Sequence, residues 1–179
     1  DIKKQLISPV IPLGRIFIED PVRMIRAVKY AAVTGFKLPH VLKRKIRKSA
    51  YLLSPISPSR LTEEFLKIIN SGHAFDIVSL ALETDLYMYL QPSATALMYD
   101  DAEFEQAYLT RLSELDALIV VSPEARLGLK LSYLIQDFVK QLTNWEKEVI
   151  NSTSAGELYI KTWSQCRHFV LPINPQRSE

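Results

Sequence analysis

The sequence predicts an all-α protein, and three observations lead to that prediction. The 179 residues are 47% hydrophobic and 23% charged, which is enough apolar material for one sizeable core or two small ones. Only five glycines are present, and no strand-like alternation is bounded by turn signals. Apolar residues instead recur three and four positions apart over long stretches, which is the period of amphipathic helices.

The N-terminal region is predicted to be irregular up to the first clear helix signal. Two prolines and a glycine within residues 7–14 argue for a linker, and residues 15–18 are expected to be short and extended. Asp20-Pro21 then predicts a helix start, with the Asp20 carboxylate accepting from free backbone amides at the cap and Pro21 at the first helical position. We expect this helix to run to about Thr34.

Six further helices are predicted from the same period and from proline and glycine breaks. They cover about 39–53, 58–71, 73–84, 101–120, 123–141 and 154–170. The connection from 87 to 100 is ambiguous. The apolar stripes of the helices at 101–120 and 123–141 are interpreted as core, because amphipathic helices usually bury such a face.

Charge is distributed unevenly along the chain. Residues 1–60 carry 13 Lys and Arg against three acids, a balance of +10, whereas the rest carries nine against 17, a balance of −8. The densest cluster consists of Lys43, Arg44, Lys45, Arg47 and Lys48. Because packed like charges repel, a polyanionic partner is one explanation for the cluster. A solvated helix face explains it equally well.

The helix predicted after Pro21 has two faces when it is projected at about 100° per residue. Its apolar face contains Met24, Ile25, Val28, Ala31 and Ala32. Arg23, Arg26 and Tyr30 fall on the other side. Guanidinium groups can bind a phosphate or a base edge, and the Asp20 carboxylate can accept from an exocyclic amine. This face suits a nucleotide, but a solvated helix whose arginines pair with neighbouring acids would give the same pattern.

The run of residues 17–32, which contains Glu19-Asp20-Pro21-Val22-Arg23, resembles the glutamate-aspartate-arginine motif of class II nucleotidyltransferases. These are the bacterial poly(A) polymerases and the CCA-adding tRNA nucleotidyltransferases. The resemblance implies that Asp20 and Arg23 face the base of the incoming nucleotide and that Glu19 is the preceding acid of the motif. It also implies that Arg26 helps to orient the pocket or the phosphates.

Residues 58–69 resemble a second motif of the same family, in which an arginine, a glutamate and a lysine brace the neck. The matching residues are Arg60, Glu64 and Lys67. On a helix they share one face and would form an alternating row of ion pairs. The resemblance implies that they orient the nucleotide-reading helix, while simple surface pairing is the alternative.

The resemblance also implies a domain organisation. Residues 1–18 would be a linker from a catalytic head, 19–72 a neck-like region, and 73–179 a helical body. Because the chain starts at Asp1 and lacks a cluster of metal-binding carboxylates before residue 17, we expect a fragment that is inactive without the head. ATP is expected as substrate and Mg²⁺ as a metal held by the head, so no catalytic or metal-ligating residue is assigned here.

The leading hypothesis is a region of a poly(A) polymerase, which adds AMP from ATP to RNA 3′ ends without a template. The alternatives are a CCA-adding enzyme, which uses CTP as well, and a non-catalytic helical RNA-binding module. The expected partners are an RNA 3′ end, contacted by Lys29 and the cluster at 43–48, and a nucleoside triphosphate.

Other functional classes have little support in the sequence. His40, His73 and His168 stand outside any zinc-protease or phosphohydrolase pattern, and Cys166 has no second cysteine to pair with. No leader peptide and no run of about 18 apolar residues is present. We therefore expect a cytoplasmic protein with no membrane or DNA partner.

Overall fold

A computed structural model describes residues 5, 7, 13–143, 145–151 and 154–173, and the regular elements within this part of the chain are helices. The predicted all-α class is confirmed. The elements are α1 (Leu13–Glu19), α2 (Val22–Thr34), α3 (His40–Ser49), a 3-10 helix (Ala50–Leu53), α4 (Pro58–Ile69), α5 (Ala74–Glu83), α6 (Tyr87–Leu90), α7 (Pro92–Asp100), α8 (Ala102–Val121), α9 (Leu127–Leu142), α10 (Trp145–Ile150) and α11 (Ala155–Phe169).

Each of the seven predicted helices has a counterpart in the structure. The predicted and observed helices differ mainly where prolines or short segments interrupt the helical period. The helix predicted at 39–53 finishes as a 3-10 turn, and the ambiguous connection at 87–100 forms α6 and α7. These two helices are separated at Gln91, just before Pro92. The short helix α10 was not predicted.

The expectation that residues 15–18 are extended is wrong. They lie in α1, where the Phe17 side chain is buried in the core and Ile16 is partly buried against it. Burial of these two apolar side chains against α2 and α3 outweighs the weak local signals of so short a segment. Most of the predicted linker lies outside the described residues. Of the remainder, the Ile7 amide donates to the carbonyl oxygen of Lys37 at 3.2 Å.

The predicted capping of α2 is also wrong, although the predicted end of the helix is confirmed. The Asp20 side chain accepts no hydrogen bond from the first turn of α2. The carboxylate instead contacts arginine side chains, described below. The helix ends at Thr34, and Gly35 follows with a φ of 67°, the left-handed conformation that glycine adopts without steric cost.

One continuous apolar core joins the regions predicted as neck and body. It extends from Phe17 in α1 to Ile173 after α11. The predicted apolar stripe of α8 is buried, as are four of the five predicted apolar residues of α2; the fifth, Ala32, is half-buried. Because α2 packs on α4 and α5, its arginine-bearing side is turned to solvent.

The start of α5, a helix that packs against α2, is capped by a side chain that is distant in the sequence. The Asp116 carboxylate of α8 accepts from the backbone amides of Ala74 at 2.6 Å and of Phe75 at 2.9 Å. This satisfies two of the free amides at the helix start and joins α5 to α8. None of the described helices is long and apolar enough to cross a membrane.

Candidate nucleotide and RNA surface

The solvent face of α2 carries the residues predicted to contact a nucleotide. The side chains of Arg23 and Arg26 are 39% and 40% exposed, and Tyr30 is exposed on the next turn. Asp20 lies immediately before the helix, with its side chain 20% exposed. Glu19 is exposed at the end of α1. The three residues that the helical projection places on one face, Arg23, Arg26 and Tyr30, are therefore at least partly exposed, and Asp20 lies beside Arg23.

A buried carboxylate on α4 binds cationic side chains of α2 and so holds this face in place. The Glu64 side chain is only 2% exposed, and its Oε1 accepts from Arg26 Nη2 at 2.9 Å and from Arg26 Nε at 3.2 Å. The same oxygen accepts from Lys67 Nζ at 3.1 Å. Lys29 Nζ lies 3.9 Å from the other oxygen, Oε2. One acid thus holds two cations of α2 and one of its own helix.

The balance of forces on Glu64 decides its protonation. Burial by itself raises the pKa of this carboxyl group, but hydrogen bonds from Arg26 and Lys67, together with their positive charges, outweigh that effect and lower the pKa below its ordinary value. The hydrogen bond to Glu64 raises the pKa of Arg26 in turn. Glu64 is therefore a carboxylate at neutral pH, and its negative charge is matched by neighbouring cations.

A second ion pair joins the start of α2 to α4. Arg60 Nη2 donates to Asp20 Oδ1 at 2.8 Å, and Arg23 Nε lies 3.6 Å from Asp20 Oδ2. Because the Arg60 side chain is 44% exposed, this pair adds less than about 1 kcal/mol to stability. Its main effect is geometric, since it sets the position of the Asp20 carboxylate beside Arg23.

The ion-pair row predicted along α4 is only partly present. Glu64 does pair with Lys67, but Arg60 turns to Asp20 rather than to Glu64. The reason is burial: Glu64 faces α2, where Arg26 reaches it, whereas Arg60 lies one turn earlier beside the α2 start. Glu64 therefore links α4 to α2, and Arg60 links it to Asp20 just before α2, whereas Lys67 pairs within α4. Spacing along one helix does not reveal the first two contacts.

The contacts leave hydrogen-bonding capacity for a ligand. Arg23 has one long contact at 3.6 Å, so most of its donors face solvent. Arg26 uses Nε and Nη2 on Glu64, which leaves Nη1 for another acceptor. Asp20 keeps a partly exposed carboxylate that can accept from an amine. Two guanidinium groups beside one carboxylate can contact both the acceptor and the donor edges of a base.

The five cations of α3 divide into two groups. Lys43 Nζ lies 2.6 Å from Glu83 Oε2, and Arg47 Nε lies 3.3 Å from Asp85 Oδ2 at the end of α5. By contrast, Arg44, Lys45 and Lys48 have no carboxylate within 4 Å in the described part of the chain. Arg44 and Lys48 are exposed, and Lys45 is half-buried.

Lys29 differs from the other residues predicted to contact RNA. Its side chain is only 16% exposed, lying 3.9 Å from Glu64 and 5.5 Å from the centre of the Tyr30 ring. Most of its surface is thus already covered by the protein, and its charge compensates that of a buried acid.

Sequence reasoning missed the acids that neutralise part of α3. Glu83 and Asp85 lie some 40 residues beyond Lys43 and Arg47, and no local spacing relates them. It also missed Tyr51, which is 65% exposed in the turn after α3. For Tyr51 a signal existed, because Arg44, Lys48 and Tyr51 follow one another at spacings of four and three.

The implied metal does not fit the described residues. Among them, no group of three or more His, Cys, Asp or Glu side chains could hold a metal ion.

Comparison with known proteins supports the resemblance found in the sequence. Residues 35–98 match the family described as the probable RNA- and SrmB-binding site of polymerase A. Poly(A) polymerase I of Escherichia coli O157:H7 is 36% identical over 85 residues, which cover 48% of this chain and 18% of that protein.

The similarity extends to CCA-adding enzymes. That of Geobacillus sp. (strain WCH70) is 40% identical over 74 residues, or 41% of this chain and 18% of the enzyme. That of Anoxybacillus flavithermus (strain DSM 21510 / WK1) is 28% identical over 145 residues, or 81% of this chain and 34% of the enzyme. The matches confirm the resemblance to poly(A) polymerases and CCA-adding enzymes, and each covers about a third or less of the relative's own length.

The position of Glu64 predicts a pH-dependent loss of stability on mutation. Glu64→Gln should lower the free energy of unfolding at pH 7 by roughly 1–3 kcal/mol, because the cations of Arg26 and Lys67 lose the buried charged acceptor that they share. The folded-state pKa of Glu64 lies below its ordinary value of 4.5. The wild-type advantage is therefore complete above that value and disappears as the pH falls through the lower, folded-state pKa.

Denaturant unfolding of both proteins between pH 3 and pH 7 measures this difference. Glu63→Gln is the matched control, because Glu63 pairs with the same Lys67 at 2.7 Å but its side chain is 66% exposed. The control should change stability by less than about 0.5 kcal/mol. Equal effects of the two substitutions, or a Glu64 effect that does not change with pH, would contradict the assigned role.

Proposed function

We propose that this chain is the nucleotide-reading and RNA-holding region of a template-independent RNA 3′-end nucleotidyltransferase. The favoured enzyme is a poly(A) polymerase that adds AMP from ATP. The observation that carries the proposal is the arrangement of Asp20 and Arg23 on an exposed face, with Arg60 and Glu64 holding it from α4.

The nucleotide part of the proposal rests on donor and acceptor geometry. Asp20 supplies an acceptor and Arg23 supplies donors on the same side of α2, so that a base could present its amine and its ring nitrogen to them. Arg26 lies one turn further along the helix with one free donor group and would contact a phosphate. Glu19, next to Asp20 in the motif, completes the proposed contacts.

The RNA part of the proposal rests on the charge of α3 and on the family match. Arg44, Lys45 and Lys48 keep charges that no described acid compensates, and phosphate groups are the natural counterions for such a surface. Residues 35–98, which contain α3, match a family described as an RNA-binding site. We therefore assign the RNA contact to α3. Lys43, Arg47 and Lys29, which are already paired with acids, would add positive charge near that contact.

A CCA-adding enzyme is the second candidate, favoured by one observation. The relative that covers the largest share of this chain among those compared above, at 81%, is a CCA-adding enzyme. In either enzyme, ATP would be a substrate, and Mg²⁺ and the transfer step would belong to a catalytic head. The region described here would then contribute recognition but no bond-making group.

Binding of RNA by this chain should depend on salt and on the unpaired cations of α3. Lys48→Ala should weaken binding of RNA oligonucleotides of different sequence to a similar extent. It should also reduce the slope of log affinity against log salt by about 0.7, the value for one lost phosphate contact on a single strand. Fluorescence anisotropy with labelled oligo(A) at several salt concentrations measures both.

Lys147→Ala provides the control, because Lys147 is an exposed lysine of α10. It lies outside the α3 surface, by which we mean Arg44, Lys45, Lys48 and the exposed side chains next to them. It should leave affinity and slope unchanged. RNA binding that is independent of salt, or equally affected by both substitutions, would rule out α3 as the RNA contact.

The base-reading role of Arg23 is testable in the complete protein. Arg23→Ala should change the ratio of kcat/KM for ATP to that for CTP by roughly 5- to 100-fold, the value expected for one lost bidentate base contact. Arg15→Ala, which removes an exposed arginine from α1, is the control. An unchanged ratio would exclude Arg23 as a base-reading residue.

The same assays separate the candidate functions. Poly(A) products on mRNA ends favour the first enzyme, and CCA products made from CTP and ATP on tRNA favour the second. RNA binding without any nucleotide transfer, and without an effect of ATP, would favour the non-catalytic helical module instead.

A further inference from the structure

An aromatic side chain lies in line with the uncompensated cations of α3. Arg44 and Lys48 are four residues apart on the helix, and Tyr51 follows three residues later in the 3-10 turn. Residues at spacings of four and three lie on one side of a helix, so these three side chains follow one another along the surface. All three are exposed.

Tyr51 is 65% exposed, and no fold requirement explains its ring. In the described part of the chain its side chain makes no hydrogen bond and no contact with another ring. The other residues of its turn serve the core, since Ala50 and Leu53 are buried and Leu52 packs against them. Three residues of the turn therefore pack into the core, and the fourth, Tyr51, is exposed to solvent.

A single exposed tyrosine is common on protein surfaces, but this one follows the exposed cations Arg44 and Lys48. Single-stranded nucleic acids bind where cations follow the phosphates and an aromatic ring receives a base. A base inside a duplex is already stacked on both faces and cannot lie on such a ring, whereas phosphates are available in either form. The cations thus attract any RNA, and the ring can add affinity only for an unpaired segment.

We propose that Tyr51 stacks against a base of unpaired RNA while Arg44 and Lys48 contact the phosphates that flank it. The α3 surface is then selective for single-stranded over double-stranded RNA. This inference rests on the proposed RNA contact of α3 and adds the form of RNA that it accepts.

The test compares a single-stranded oligonucleotide with a blunt duplex of the same length, using the full 179-residue chain. Tyr51→Ala should weaken single-strand binding by at least about fivefold, the lower end of the effect of one base–aromatic stack. It should leave duplex binding and the salt slope unchanged, because no phosphate contact is lost. Tyr51→Phe keeps the ring and should restore the single-strand affinity.

Tyr159→Ala is the matched control, because Tyr159 is 68% exposed on α11, outside the α3 surface. It should change neither affinity. If Tyr51→Ala behaves like this control while Lys48→Ala still lowers the salt slope, α3 binds RNA but the stacking proposal is overturned. If neither Tyr51→Ala nor Lys48→Ala has an effect, the RNA contact itself has been misassigned. Equal losses on single strands and duplexes would also overturn the stacking proposal.

Discussion

The arrangement of the candidate surface depends on one buried carboxylate. Glu64 lies between α2 and α4, where it accepts hydrogen bonds from Arg26 and Lys67. An unpaired charge at so buried a position would be unstable, so the cations must stay in place while the protein is folded. The rotation of α2 about its axis is fixed as a consequence. Because Arg23 and Tyr30 share that helix with Arg26, the orientation of its exposed face follows from the contact between Arg26 and Glu64.

The distribution of charge on α3 shows how a fold can distinguish residues that look alike in the sequence. Glu83 and Asp85 compensate Lys43 and Arg47, which ties α3 to the end of α5. Of the remaining cations, Arg44 and Lys48 are exposed and Lys45 is half-buried, and the exposed Tyr51 ring follows them. The fold thus divides five cations that look alike in the sequence into two groups. Lys43 and Arg47 pair with acids of the protein, whereas Arg44, Lys45 and Lys48 remain available to a polyanion.

Much of the fold could be predicted from local patterns, because helical period and proline breaks are encoded within a few residues. Short segments were harder, as α1 and α10 are too brief to show a period and depend on packing. The candidate site was predicted as a set of residues but not as a set of contacts. Asp20 resembles a helix cap in sequence, yet Arg60, 40 residues away, accounts for the carboxylate's position. Spacing along one helix cannot reveal such contacts between helices.

The most direct test of the linkage between α2 and α4 is a double-mutant cycle on Arg26 and Glu64. Unfolding free energies of Arg26→Gln, Glu64→Gln and the double variant give the coupling energy of the pair. The structure predicts a coupling of roughly 1 kcal/mol or more at pH 7, which vanishes at acidic pH when Glu64 is protonated. Additive effects at neutral pH would mean that the pair does not hold the two helices together, and would contradict the fixed orientation of the exposed face of α2.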